Sequence, residues 1–450
     1  MSQPAVAIRA LHFDLKGLPP SAGRLVSILK LIAAAGYNAL LVEWEDTFCW
    51  NVDPRFRSPT AYTREQVAAF CQEASRLGLE VIPLVQCLGH LEMVLSLPDY
   101  AHMREVPENN DTLNPLAKGA GALVAALVED VISVLPNLRH FHLGGDEAWT
   151  FGTHPDTKSF IDSRGGGDAG KAALYLQHIN PLLDLLAKRS LRPLLWHDMM
   201  VNWPKEDMHR LGQRADIVVW GYGGHPDRTE YHYNTKYIRR FVEAGVPLWA
   251  ATAYKGGEGP DADISDNRAR QYNALAWMEL SQRLGPFKGV FATAWSRYST
   301  DSLQTVPIDG SLDGLVNVGA IIRDGQAPGT AANLAILAAT GEKAGWKACH
   351  DVCNKLWKAR KNAWEHLKYI HQLLEFRERT NGARGGLHMA IRIGNMVKRQ
   401  LDELDKIADK FRKAFAGRLE PIWIEEYLRT RIAPIRRQYE QIVQEIDSRR

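Results

Sequence analysis

Asp146 and Glu147 are adjacent acids closing the run His142-Leu143-Gly144-Gly145-Asp146-Glu147. Two carboxyl groups in different environments are the smallest set that can serve as acid and charge stabiliser in breaking a glycosidic bond. The preceding segment, Asn137 to His142, reads as a short strand that ends in two glycines. Such an end lets a ligand approach the backbone closely. Consecutive strand residues point to opposite sides, so a bend must swing both acids toward one ligand. An Asp-Glu pair alone is usually a solvated turn, and the His-Leu-Gly-Gly context sets this one apart.

Positioning such a pair requires a scaffold. Short apolar runs alternate eight times with amphipathic stretches. Strands are expected around Ile8–Asp14, Ala39–Trp44, Glu80–Val85, His140–Leu143, Pro193–His197, Ile217–Trp220, Pro247–Ala253 and Gly289–Thr293. Helical patterns lie between them, with Gly36 and Gly78 where a helix should end before the next strand. Eight such alternations predict an α/β fold, a (β/α)8 TIM barrel. An open doubly wound sheet is the alternative, but Lys16-Gly17-Leu18-Pro19-Pro20 after the first strand is no phosphate loop. Gly165-x4-Gly170-Lys171 lacks the Ser/Thr that a phosphate loop needs, having Ala172.

The barrel is expected over 1–328 and a C-terminal all-helical region over 329–450. There Val397, Leu401, Leu404, Ala408, Phe411 and Phe415 form a heptad-like stripe, and Pro421 and Pro434 are expected to break helices. The region is expected to pack on the barrel, on itself or on a second copy, and the width of the stripe favours the second copy, a possible homodimer.

Barrel enzymes carry their chemistry at the carboxyl ends of the strands. Those ends read Asp14-Leu15-Lys16, Glu43-Trp44-Glu45-Asp46, Gln86-Cys87-Leu88-Gly89-His90, Asp146-Glu147, Trp196-His197-Asp198, Trp220-Gly221-Tyr222, Tyr254-Lys255 and Trp295-Ser296-Arg297. Acids and tryptophans at one rim suit a carbohydrate, whose C–H faces stack on rings and whose hydroxyls take polar partners.

Composition narrows the remaining classes. The net charge of +3 over 450 residues gives no footing for nucleic acid. No apolar run is long enough to span a bilayer, and the N-terminus lacks a basic stretch leading into an apolar one. Five cysteines without framework spacing read as reduced thiols, which points to the cytoplasm. Cys349-x3-Cys353 with His350 lacks a second ligand pair, so no metal or other cofactor is expected.

The motifs resemble family 20 glycoside hydrolases, the β-N-acetylhexosaminidases. His142 to Glu147 is similar to the family signature His-x-Gly-Gly-Asp-Glu, and further matches cover most of residues 6–300. The segments HFDLKGLPP, VEWEDTF and PLVQCLGHLE resemble the hexosaminidase D branch most. The resemblance implies a retaining, exo-acting enzyme in which the 2-acetamido oxygen of the substrate attacks the anomeric carbon. It assigns Asp146 to orienting the acetamide and Glu147 to acid/base work. It implies Arg9 as a sugar-binding arginine, and Asp46 with His90 as a relay toward Glu147. Trp196, Trp220 and Trp295 become acetamide walls, with Tyr254 bonding its oxygen. Many relatives carry an acid where this chain has Arg297, so that residue bears on sugar choice. It is expected to donate to sugar oxygens or to pair with Asp301 or Glu45.

Two rivals remain from the residues themselves. One is a metal-dependent barrel hydrolase or isomerase using His12, His90, His142, His197 and the acids; the other is a non-catalytic sugar-binding or scaffold protein on an enzyme-like barrel.

Overall fold

The computed structural model describes residues 6–285, 287–380 and 386–448. Eight parallel strands close a barrel: β1 (Ile8–Asp14), β2 (Ala39–Glu43), β3 (Glu80–Leu84), β4 (His140–His142), β5 (Arg192–Trp196), β6 (Asp216–Trp220), β7 (Leu248–Lys255) and β8 (Gly289–Ala294). Each expected strand is present, with no end moved by more than two residues. Neighbours pair in chain order, and Ile8 opposite Gly289 joins β8 back to β1. One element was not anticipated: a hairpin of Arg104–Val106 and Asn109–Leu113 in the connection after β3.

Alternation along each strand sorts side chains into two cores. Ala10, Leu41, Ile82, Leu194, Trp196, Val218, Trp249, Ala251 and Phe291 fill the barrel interior. Their neighbours, such as Leu11, Val42, Leu195 and Val219, pack outward against the helices. This is the period of two expected for a closed sheet filled by side chains.

After β8 every regular element is helical. Three long helices, α1 (Lys343–Arg379), α2 (Leu387–Phe415) and α3 (Pro421–Ser448), build a core of their own. The stripe from Val397 to Phe415 is fully buried in that core, against residues such as Leu367, Ile370, Tyr427 and Ile435. The three helices cover the stripe among themselves, so it gives no ground for a second copy. Pro421 opens α3 as expected, but Pro434 does not break it. Buried Ile432 and Ile435 beside the proline hold the helix through the one missing N–H.

The third helix also reaches the barrel. Arg431 and Tyr427 both bond Asp263, in the connection after β7, and Trp423 Nε1 donates to Thr60 Oγ1 at 2.6 Å. No described helix is long and apolar enough to cross a membrane.

Candidate active site

The four-residue turn after β4 is built by its own sequence. His142 Nδ1 accepts the Gly144 N–H at 2.9 Å, and the ring packs 4.3 Å from Trp196. Burial, helped by His12, pushes the His142 imidazole down to about 3, so it stays neutral and can accept. Gly144 has φ +62°, and a Cβ there would collide with the Gln86 amide. Gly89 is equally constrained, because a Cβ would strike the Asp146 carbonyl oxygen. The loops after β3 and β4 therefore cross at backbone contact, which brings His90 onto the acids.

Three non-glycine residues at successive strand ends have left-handed backbones: Glu45 (φ 43°), His90 (φ 54°) and Glu147 (φ 47°). Each such residue costs about 1–3 kcal/mol and persists where the surroundings enforce it, often at functional sites. Here the strain turns side chains inward over the barrel mouth.

His90, Asp146, Glu147, Trp220, Tyr222, Trp295 and Tyr298 line one cavity of about 270 Å³, with Gly256 and Gly257 forming part of its wall. His90 Nε2 lies 3.3 Å from Glu147 Oε2 and 3.7 Å from Asp146 Oδ2. Burial opposes the His90 charge, yet Asp146, the hydrogen bond to Glu147 and nearby Glu92 carry its pKa up to about 10. Burial likewise raises Asp146, to about 8, against the pull of His90 and with the repulsion of Asp198 and Glu147. His90 and Asp146, 3.7 Å apart, act as one coupled pair in which the protonated imidazole favours the ionised carboxylate and the carboxylate favours the protonated imidazole. Asp146 Oδ1 is buried and has no hydrogen-bond donor among the described residues.

The expected residues separate into three groups. Asp146, Glu147, His90, Trp220 and Trp295 converge on the cavity. Trp196 lies fully buried one layer below, its ring 6.4 Å from that of Trp295, as a floor rather than a wall. The others lie elsewhere. Arg9 is near the amino end of β1, bonding the Gly36 carbonyl at 2.7 Å and the Val6 carbonyl at 2.9 Å. Five residues of strand, about 16 Å, separate it from the barrel mouth, and odd spacing from Asp14 turns it outward. Tyr254 is also on the outward face, packed in the core between barrel and helices.

Asp46 does not join His90. Burial raises it to about 6 against the charges of Arg297 and Lys16. Arg297 turns to the C-terminal helices, its guanidinium donating to Glu426 Oε1 at 2.5 Å and to the Thr300 carbonyl at 3.3 Å. Neither expected acid is its partner: Glu45 instead accepts from Thr300 Oγ1 at 2.6 Å.

Two rim residues to which the sequence assigns no role belong to the site. Tyr222 stacks on Trp220 with ring centroids 5.4 Å apart, and its phenol, raised by burial well above the usual range, stays a neutral donor. Asp198 Oδ2 accepts the Glu147 backbone N–H at 2.9 Å while Oδ1 accepts the Trp220 indole N–H at 3.0 Å. Each follows an inward tryptophan by two residues, and that spacing was the available signal. The histidines of the metal reading are spread over separate contacts: His12 faces Glu43, His142 the Gly144 amide, and His197 the His232 ring. No group of three or more His, Cys, Asp or Glu placed to hold a metal occurs among the described residues.

Comparison with known proteins gives a consistent result. Residues 42–238 match the family model described as glycosyl hydrolase family 20, catalytic domain. Hexosaminidase D of Bos taurus is 32% identical over 299 residues, covering 65% of this chain and 85% of the bovine protein. Hexosaminidase D of Homo sapiens is 33% identical over 300 residues, 65% of this chain and 60% of the human protein. Among solved structures, the Flavobacterium johnsoniae chitobiase superposes with a TM-score of 0.57 at 13% identity, over 99% of this chain and 73% of that one. The β-N-acetylhexosaminidase from Bacteroides fragilis NCTC 9343 gives 0.55 at 14% identity, over 76% and 71%. At these identities the two structures speak for the fold alone.

Proposed function

This chain belongs to glycosyl hydrolase family 20, and from that premise we propose that it is a retaining, exo-acting β-N-acetylhexosaminidase. It removes terminal β-linked GlcNAc or GalNAc by substrate-assisted catalysis. One observation carries the reading. The cavity offers two adjacent carboxyl groups on one loop, and its described lining includes no acid on the facing wall. Enzymes that use a carboxylate nucleophile set two carboxyl groups about 5–5.5 Å apart on either side of the bond, and family 20 is an exception to that arrangement.

In the first step the acetamide oxygen bonds to C1 as the C1–O bond to the leaving group breaks. Glu147 gives its proton to the departing oxygen. The buried Asp146 carboxyl, with its free Oδ1, accepts the acetamide N–H and steadies the positive charge that grows on the oxazolinium. In the second step water attacks C1, Glu147 takes a proton from it, and the acetamide is restored with net retention. Tyr222 takes the role expected of Tyr254, donating its phenol to the acetamide oxygen. Trp220 and Trp295 enclose the methyl end, and His90 balances the charge between the two acids.

A turnover panel tests this. Aryl β-glycosides of GlcNAc and GalNAc should be cleaved, and the matching glucoside and galactoside should not. A thiazoline mimic of the oxazolinium should inhibit, as expected of a molecule resembling the bound intermediate. Comparable turnover of the glucoside would overturn the mechanism.

A further inference from the structure

Lys255 ends β7 and is 1% exposed, and no step of the proposed mechanism uses it. A lysine is almost never buried so completely unless its ammonium is satisfied. Here neutral oxygens meet it. Nζ donates to the Trp295 carbonyl at 3.2 Å, to Ser296 Oγ at 3.3 Å and to Thr305 Oγ1 at 3.4 Å. Three N–H groups face three acceptors, so the protonated form is the one that fits. Burial lowers the pKa of Lys255 to about 8, with Asp14 and Glu258 holding it up and Lys16 repelling it. The amine therefore stays charged at neutral pH.

All three acceptors belong to the segment that carries Trp295, a wall of the cavity. Thr305 closes that segment on itself, its N–H donating to the Ser296 carbonyl at 2.8 Å. The Trp295 N–H donates back to the Lys255 carbonyl at 3.4 Å, and a Cβ on Gly256 would strike the Trp295 carbonyl oxygen. On the other side, Asp14 Oδ2 accepts the Ser296 N–H at 2.7 Å and the Asp14 carbonyl accepts its hydroxyl at 2.8 Å. The peptide after Trp295 is thus gripped from both β1 and β7. The indole it carries packs against the rings of His12 at 5.0 Å, Tyr222 at 6.1 Å and Trp196 at 6.4 Å. Ring contacts are less directional than hydrogen bonds, so the depth of the indole in the cavity follows from its backbone.

We infer that Lys255 is a positioning residue for Trp295, and that through this wall it sets how large an N-acyl group the cavity accepts. The inference rests on the proposed reading of Trp295 as an enclosure for the acetamide methyl. One extra methylene in an apolar pocket is worth about 10–200-fold in discrimination, provided the wall does not retreat. A wall whose carbonyl, neighbouring hydroxyl and closing threonine are tied to one buried ammonium has little room to do so. Without that ammonium the carbonyl loses a donor and the turn loses its tie to β7, so the indole can shift outward and admit a longer acyl chain.

The test compares kcat/KM for two aryl β-glucosaminides that differ in one methylene, N-acetyl and N-propanoyl. The wild type should prefer N-acetyl, and Lys255→Met, which keeps an unbranched stem and removes the three donors, should cut that preference about tenfold. Thr305→Val, which removes one acceptor, should lower it in the same direction. Lys288→Met removes a half-exposed lysine that bonds Asp216 at the opposite end of the barrel, and it should leave the preference at the wild-type value. Each ratio is taken within one preparation, so a loss of folded enzyme cancels. An unchanged ratio in Lys255→Met overturns the inference, as does an unchanged ratio in Thr305→Val where Lys255→Met is too weak to measure. A wild type that cleaves both substrates equally overturns it too, because there is then no wall to position. A wild type that cleaves neither them nor the matching GalNAc glycoside overturns the hexosaminidase reading instead, and the inference with it.

Discussion

Asp198 accepts the backbone N–H of Glu147 at 2.9 Å, so the position of the acid is set by a residue on the neighbouring strand end. The same carboxylate holds the Trp220 indole. Burial raises Asp198 to about 6, against the hydrogen bonds from Glu147 and Trp220. Asp198→Ala should lower kcat/KM by about 100-fold, the scale of a displacement of about 1 Å in a catalytic group. The loss should appear in kcat, since Asp198 acts through Glu147. Steady-state kinetics check this, and a variant with normal kcat would show that the turn after β4 holds Glu147 unaided.

Glu147→Gln should depend on the leaving group. Acid assistance is worth roughly 10²–10⁴-fold and matters most when the departing oxygen is basic. Aryl glycosides with acidic phenols should lose little and alkyl glycosides most. Asp146→Asn should lower both classes together, because it acts on the acetamide nucleophile. A series of aryl leaving groups measured in each variant separates the two roles.

The charge of His90 should appear as pH-dependent stability. Its folded pKa, about 10, exceeds the ordinary imidazole value of 6.5. A group held more tightly protonated in the folded state stabilises fully below its unfolded pKa, and the contribution disappears as pH rises toward 10. The carboxyl groups of Asp146, Glu147 and Glu92 supply the field. The difference in thermal midpoint between wild type and His90→Asn should therefore shrink from pH 6 to pH 10. A constant difference across that range would mean that His90 is not charged in the folded protein.

Arg431 is fully buried and bonds the equally buried Asp263, which lies in the connection carrying Gly256 and Gly257 of the cavity wall. Asp263 also keeps Arg360 and Tyr427 as partners, so removing Arg431 breaks one of two buried ion pairs and should cost less than the ~3–5 kcal/mol of a fully stranded charge. Arg431→Met should lower the thermal midpoint, and more than Arg436→Met, whose partner Asp405 is exposed. Equal shifts in the two variants would deny α3 its hold on the barrel.

Arg297 and Glu426 should prove coupled. Both are largely shielded and bonded at 2.5 Å across the junction of barrel and helices. A double-mutant cycle in thermal or denaturant unfolding, with Arg297→Ala and Glu426→Ala, should give an interaction of about 0.5–3 kcal/mol. Additive losses would show that the pair contributes nothing to the junction.

The sequence by itself determined the barrel, its strand ends and the acid pair. Alternation of short apolar runs with amphipathic helices leaves a chain little choice but to wrap a parallel sheet, and Gly144-Gly145 marks the strand end that carries the acid pair. Parity along the strands was also written there. It separates Arg9 from Asp14, and sets Tyr254 opposite to Trp249 and Ala251. It puts Tyr222 on the side of Trp220. What the tertiary structure alone decided was which distant groups meet. The backbone crossing at Gly89 delivers His90 to Asp146, and α3 brings Glu426 to Arg297 across 129 positions of sequence. The stripe from Val397 to Phe415 finds its cover in α1 and α3. Periodicity states that a face must be buried, but the partner depends on where the chain returns, and that is fixed only when all the layers pack together.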